Sequence, residues 1–175
     1  MHAMTSDPPP NKLRFGFAGT HLGAVLIATS DRGVAAIFLG EDRSRLKREL
    51  AGAYPDADLI ETDDGLADTL AKVAILIDTP QRGLDLQLDL RGSAIELAVW
   101  EALRAIPVGE TRSYGQLAKA LPIPATAQEV GAACAANVLA VAVPCHRVVK
   151  ADGSIAGYRW GVSRKRRLLQ MEAAA

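Results

Sequence analysis

The residues best suited to chemistry sit in one stretch, Val141-Ala142-Val143-Pro144-Cys145-His146-Arg147-Val148-Val149. Pro144 closes an apolar run and holds Cys145 on a rigid turn, and the two residues after it supply a base and a positive charge, which favour thiolate over thiol. An unperturbed cysteine is mostly protonated at neutral pH, so an adjacent base matters to its rate. The pattern predicts a nucleophilic Cys145 with His146 as its base; a Cys-His dipeptide alone also fits a structural thiol beside a packing imidazole. Cys134 lies on the apolar side of an alanine-rich helix with no base near it in sequence. It is expected in the core, leaving no resolving thiol near Cys145.

The elements that must position this stretch come in two sets. Residues 1–12 are polar with three consecutive prolines, which predicts a flexible tail or linker. From Leu13 the period is two: Leu13, Phe15 and Phe17 share one face, apolar stretches follow at 21–29 and 33–39, and Asp31-Arg32-Gly33 joins these as a hairpin. Helical spacing then appears over 43–53 and in Leu66, Leu70, Val73 and Ile77. Leu84, Leu86, Leu88 and Leu90 alternate with polar residues as a half-buried extended segment ending at Arg91-Gly92.

The second set is helical, over 93–105, 113–121, 125–136 and 163–172. Pro122-Ile123-Pro124 can only be a turn, so the second and third helices form a helix-turn-helix candidate. Its latter helix is built from Ala125, Thr126, Ala127, Gly131, Ala132, Ala133, Ala135 and Ala136, with little bulk. Such a helix either packs closely in the core or approaches a narrow surface such as the DNA minor groove. The fold class read from these patterns is α+β in two domains: an N-terminal structural domain over 13–91 with an antiparallel sheet and helices, and a mostly helical domain over 92–175 with the reactive cysteine.

Composition limits the function classes. With 175 residues and 49% apolar content the chain can bury a core. Its 20 basic residues equal its 20 acidic ones, so net charge alone does not coat nucleic acid. The charge is divided unevenly, 9 Lys+Arg against 14 Asp+Glu before residue 91 and 11 against 6 from there on, so a polyanion should meet the second half. Two cysteines outside any zinc-type spacing make neither a disulfide framework nor a metal site, which fits a reducing cytoplasm. No apolar run reaches the roughly 18 residues of a membrane span, and no secretory pattern opens the chain. A soluble, unexported protein is expected.

Taken whole, Pro144-Cys145-His146-Arg147-Val148-Val149 resembles the active-site motif of the O6-alkylguanine-DNA alkyltransferases. IPVGETRSYGQLA at 106–118 resembles that family's first DNA-binding helix and its lead-in, AACAAN at 132–137 the end of its recognition helix, and GSIAGYRWGVSRK at 153–165 its substrate loop and final helix. Within the family the C-terminal half of the bacterial Ada branch is most similar. The resemblance runs from about Leu13 to Glu172 and is specific from Arg91 onward. It implies a ribonuclease H-like N-terminal domain and a monomer without cofactor or metal. The implied partner is double-stranded DNA containing O6-alkylguanine, bound through its minor groove with the base flipped out.

The resemblance also implies residue roles. Cys145 is the acceptor that displaces guanine from the alkyl carbon, once per molecule; His146 takes the thiol proton through a water, and Glu172 holds the imidazole in the right tautomer. Tyr114 donates to the ring as guanine leaves, and Asn137 ties the helix to the active-site strand. The carbonyls of Cys145 and Val148 accept from the guanine amino group, Tyr158 flanks the base, the Arg159 amide faces O6, and Trp100 completes the substrate-binding set. Arg112, Ser113, Tyr114, Ala125, Thr126, Ala127, Gln128, Gly131 and Ala132 form the DNA-binding set. Gln128 stands where the family usually has a stacking arginine, and Glu129 adds a carboxylate that faces phosphates with the wrong sign. The alternative is therefore a self-labelling or drifted variant that reacts with free O6-alkylguanine derivatives and binds DNA weakly.

Overall fold

The computed structural model describes residues 11–82 and 85–174, so most of the expected tail, and Leu84 of the alternating segment, lie outside the described residues. Three strands, β1 (Lys12–Thr20), β2 (Gly23–Ser30) and β3 (Gly33–Gly40), form an antiparallel meander. Val25 to Ala28 and Val34 to Leu39 are buried at every position, so these two strands are covered on both faces. The turn expected at 31–33 is present. Gly33 is needed there because its φ is +142° and a Cβ would stand 2.4 Å from the Gln87 carbonyl oxygen.

A fourth strand, β4 (Asp58–Glu61), was not expected, because Asp58-Leu59-Ile60-Glu61 carries no alternation of its own. It exists by pairing parallel to Lys12–Phe15, giving the order β3-β2-β1-β4. The Asp58 amide donates to the Asn11 carbonyl at 2.8 Å, so Asn11 and Lys12, expected in the tail, take part in the sheet. Between β3 and β4 lies α1 (Arg43–Ala53), started by the Asp42 side chain, which accepts from the Ser44 amide. After β4 comes α2 (Ala67–Asp78). These helices pack on β2 and β3 and on β1 respectively.

The segment expected to alternate reaches the sheet through one bridge, Val34 to Leu88. Its polar side is not uniformly exposed: Asp89 is buried and accepts from Ser30 Oγ at 2.6 Å and Arg91 Nη2 at 2.8 Å. A buried carboxylate is tolerable there because both partners reach it.

Four helices follow: α3 (Ala94–Arg104), α4 (Tyr114–Ala120), α5 (Ala127–Ala135) and α6 (Val162–Ala173). Three begin with a reciprocal capping box, Ser93 with Glu96, Ser113 with Gln116 and Thr126 with Glu129, which satisfies two backbone donors at each start. Short β5 (Arg112–Ser113) pairs parallel with β6 (Val148–Val149). Buried apolar residues from Leu13 to Leu168 form one cluster, and Arg164 ties α6 to the β1–β2 turn by donating from Nε to the Leu22 carbonyl at 2.8 Å. Among the described residues no helix is long and apolar enough to cross a membrane.

Candidate active site

The chain leaves α5 and must place Cys145 within a few residues, and it does so by docking on β3. The Ile37 amide donates to Val138 O at 2.9 Å and the Ala140 amide to Ile37 O at 3.0 Å, which pins the segment to the sheet. Val141 then adopts φ +68°, a left-handed conformation that a β-branched residue accepts at a cost of about 1–2 kcal/mol. The strain is sustained by the surroundings, since Leu139, Ala140, Val141 and Val143 are all buried. Pro144 next opens a single 3-10 turn, Cys145–Arg147, in which the Val148 amide donates to the Cys145 carbonyl.

Asn137, 1% exposed, is the clasp of this segment. Its Oδ1 accepts from the Leu139 amide at 2.9 Å, while its Nδ2 donates to Val143 O at 2.9 Å and to the Cys145 sulfur at 3.3 Å. These bonds tie the end of α5 to the turns that carry Cys145, and they reach the sulfur itself.

Behind Cys145, His146 and Glu172 meet across 26 residues of sequence through His146 Nε2 and Glu172 Oε1, both fully enclosed. Arg147 Nε donates to the same carboxylate at 2.9 and 3.2 Å, and its Nη1 donates to Ile106 O at 2.6 Å. Burial alone would raise the Glu172 pKa, but the hydrogen bonds and charges of His146 and Arg147 outweigh it and hold the carboxyl below its ordinary value. An ionised carboxylate only accepts, so Nε2 carries the proton and Nδ1 is the free base. Nδ1 has no hydrogen-bond partner among the described residues. Burial pushes the imidazole pKa below its usual value despite Glu172, so His146 rests neutral and ready to accept.

The sequence reading of the thiol needs correction. Cys145 is 5% exposed, and that burial raises its pKa despite the Asn137 hydrogen bond and the charges of Lys165 and Arg159. The resting form is thiol, and a base is required at the moment of reaction. Nor does the adjacent Arg147 supply the positive field, because its guanidinium is committed to Glu172 and Ile106. Lys165 on α6 does so instead. It is 1% exposed, has no ion-pair partner among the described residues, and its own pKa is lowered by burial. Nothing in its local sequence, Ser-Arg-Lys-Arg-Arg, separates it from half-buried Arg164 before it and exposed Arg166 and Arg167 after it; only the α6 face turned inward does.

Cys145 lies on the wall of a cavity of about 400 Å3 shared with Tyr114, Cys134, Ala135, Gly157, Tyr158 and Arg159. Tyr114 is half-buried, and burial together with the two thiols raises its pKa, so it is a protonated donor at neutral pH. The Tyr158 hydroxyl is buried with no partner among the described residues, and its ring stands edge-on to Trp160 at 5.3 Å. Arg159, on the same wall, donates from Nη1 to Asn137 O at 3.2 Å.

Two expectations fail here. Cys134 is half-buried on the cavity wall rather than in the core. Trp100, expected to bind substrate, does not line the cavity: it is buried, its indole donates to Ala133 O at 2.9 Å, and it packs on Gly92, where a Cβ would lie 2.7 Å from the ring. Its work is to hold α5 on α3. Val148 is fully buried beside Arg112 in the β5–β6 pair, and the Cys145 carbonyl already accepts one amide.

On the outer surface α4 and α5 pack against each other. Val130 and Ala133 face inward, while Ala127, Gln128, Ala132 and Ala135 are exposed and Ala125 and Gly131 half-buried, so the small residues are not explained by core packing alone. Thr126 caps the helix, and the exposed Glu129 completes the box, its carboxylate accepting from the Thr126 amide at 3.0 Å. Ser113 is similarly occupied as the cap of α4, and Arg112 is tied to Glu110 at 3.2 Å.

Residues 94–174 match the family described as 6-O-methylguanine DNA methyltransferase, DNA binding domain. The bifunctional transcriptional activator/DNA repair enzyme Ada of Escherichia coli K12 is 47% identical over 92% of this chain and 46% of its own length. The inducible methylated-DNA–protein-cysteine methyltransferase of Bacillus subtilis 168 is 32% identical over 92% of this chain and 85% of its own. The chain thus spans about half the length of the curated Ada relatives it matches and most of the B. subtilis one. Among solved structures, Mycobacterium tuberculosis OGT in complex with DNA superposes with a TM-score of 0.76 at 30% identity, covering 92% of this chain and 93% of that one. With the mixed α+β fold shared over nearly the full chain, this protein belongs to the O6-alkylguanine-DNA alkyltransferase (methylated-DNA–protein-cysteine methyltransferase) family.

Proposed function

We propose that the chain repairs double-stranded DNA by moving the alkyl group of O6-alkylguanine onto Cys145, once per molecule. The observation that carries this reading is Cys145 at the wall of an open cavity, followed in sequence by a buried base, His146, that Glu172 orients. In the proposed step His146 Nδ1 takes the thiol proton, the sulfur attacks the alkyl carbon, the carbon–oxygen bond breaks, and guanine leaves while the Tyr114 hydroxyl donates to the ring. Lys165 and the Asn137 amide stabilise the thiolate as it forms. The thioether has no leaving group at neutral pH, so the reaction does not turn over.

A base must leave the duplex to reach this cavity. The exposed small-residue face of α5 supports close approach to the minor groove, with α4 and α5 as the helix-turn-helix and Arg112, Ser113, Thr126, Ala127, Gln128 and Ala132 along it. The antiparallel meander with a parallel fourth strand supports a ribonuclease H-like N-terminal domain over 13–91, joined to the reactive domain over 92–175. We read the protein as a monomer acting in the cytoplasm.

A second reading, transfer from free O6-alkylguanine with weak duplex binding, is favoured by Gln128, which offers DNA no charge. The two separate by intact mass after incubation with a duplex carrying one O6-methylguanine, beside free O6-benzylguanine and a Cys145→Ala control. The repair reading requires a single methyl adduct from the duplex that the control lacks. An adduct from the free base alone selects the second reading.

A further inference from the structure

The sequence separates Cys134 from Cys145 by ten residues and two elements, yet the fold brings both thiols to one cavity. Asn137 links them: its backbone amide donates to the Cys134 carbonyl at 3.2 Å and its side chain donates to the Cys145 sulfur at 3.3 Å. The two thiols are close enough that negative charge on one opposes ionisation of the other, and both feel the same buried Lys165. Both are free, and they are the two cysteines of the chain. The alkyl-transfer reading leaves Cys134 unused.

We propose that Cys134 is a resolving cysteine for Cys145, so that oxidation by a hydroperoxide closes the acceptor into a reversible intramolecular disulfide instead of destroying it. In the first step the Cys145 thiolate, its proton held by His146, attacks the peroxide oxygen; the O–O bond breaks, the sulfur becomes sulfenic acid, and the alcohol or water leaves with the proton. In the second the Cys134 sulfur displaces hydroxide from that sulfenic sulfur, the S–S bond forms, and one water is released. A dithiol reductant returns both thiols by exchange. Without Cys134 the sulfenic acid would go on to sulfinic acid, which a dithiol does not reverse.

The base sets the division of roles. Burial raises the pKa of both thiols, that of Cys134 to about 12, but Cys145 is followed by a base, His146, and takes the oxidant, while Cys134 stands half-buried on the last turn of α5 with no base beside it in sequence. The S–S bond requires the two sulfurs to come to about 2 Å, and the end of a helix is the part of α5 best able to yield. The disulfide would also occupy the cavity wall on which substrate must sit, so the oxidised protein is switched off for alkyl transfer.

The test treats the full chain with hydrogen peroxide, denatures it in N-ethylmaleimide, and reads intact mass, beside activity toward O6-benzylguanine before and after dithiothreitol. The wild type is expected to yield a monomer lighter by two hydrogens that takes up no maleimide, and to regain most of its own untreated rate on reduction. Cys134→Ser and Cys134→Ala are each expected to gain oxygens on Cys145 and to regain little of theirs. Equal recovery in wild type and both variants, or disulfide found only between two chains, would overturn the proposal. Because the mass readout needs no substrate, a chain that fails to transfer benzyl even before oxidation sinks the repair reading while leaving this one open to the same measurement.

Discussion

Replacing Glu172 with glutamine removes one negative charge from a site where two donors, His146 Nε2 and Arg147 Nε, converge, and its consequences can be worked from the geometry. The carboxylate is 1% exposed and holds both His146 and Arg147. Breaking a buried ion pair typically costs about 3–5 kcal/mol, because the surviving charge is left without its partner. Arg147 keeps its 2.6 Å bond to Ile106 O and its side chain is 9% exposed, which places the loss near about 3 kcal/mol. For a chain of this size that is a fall of roughly 6–12 °C in Tm. The amide can also present its NH2 to His146, which reverses the tautomer and takes away the free Nδ1, so alkyl transfer should slow by about 100-fold or more. Melting followed by circular dichroism, with benzyl transfer measured at a temperature where both proteins are folded, reads the two effects apart. The double variant Arg147→Met with Glu172→Gln removes the stranded cation and should recover most of the Tm without the rate. If Glu172→Gln melts like the wild type, or if the double variant regains rate along with stability, the tautomer argument is wrong.

Three further outcomes follow from the same site. Stability should decline in acid: the folded pKa of His146 lies below its ordinary value of about 6.5, so the unfolded chain binds a proton first as pH falls through that value, and ionised Glu172 adds a loss below about pH 4.3 as pH falls through its depressed folded pKa. Urea midpoints that stay level or rise from about pH 7 to about pH 5 would contradict it. Lys165→Met should stabilise the fold by about 1–4 kcal/mol, since an enclosed cation is replaced by an apolar side chain of similar volume; it should also slow transfer and move its pH profile upward, and a lower Tm would refute the burial argument. Gln128→Arg should steepen the salt dependence of duplex binding by about one unit and speed reaction with duplex relative to free O6-benzylguanine, so parallel changes on both substrates would exclude a DNA-facing role.

Much of this protein is written in short-range pattern. Period two in Leu13, Phe15 and the apolar runs after it marks β1 to β3; helical spacing, with a Ser or Thr three residues before Glu or Gln, marks α3, α4 and α5. These signals are local because each rests on neighbouring side chains sharing a face or a cap. The Pro-Cys-His-Arg stretch points to a nucleophile for the same reason, since proline and base act on their immediate neighbour.

Tertiary structure decided the rest, where the partner lies far along the chain. β4 has no pattern of its own and exists because β1 offers it a ladder. Glu172 reaches His146 only when α6 returns to the 3-10 turn, and Lys165 differs from the arginines beside it only in which way that helix faces. The state of Cys145 was decided in the same way: adjacency in sequence suggests an activated thiolate, but burial in the folded chain outweighs it and leaves a thiol that waits for its base. Cys134 stands on the cavity wall because the fold brings the end of α5 to the cavity that Cys145 lines, an approach that no local rule contains. Charge and solvation act through space, and the distances that govern them do not exist until the chain has folded.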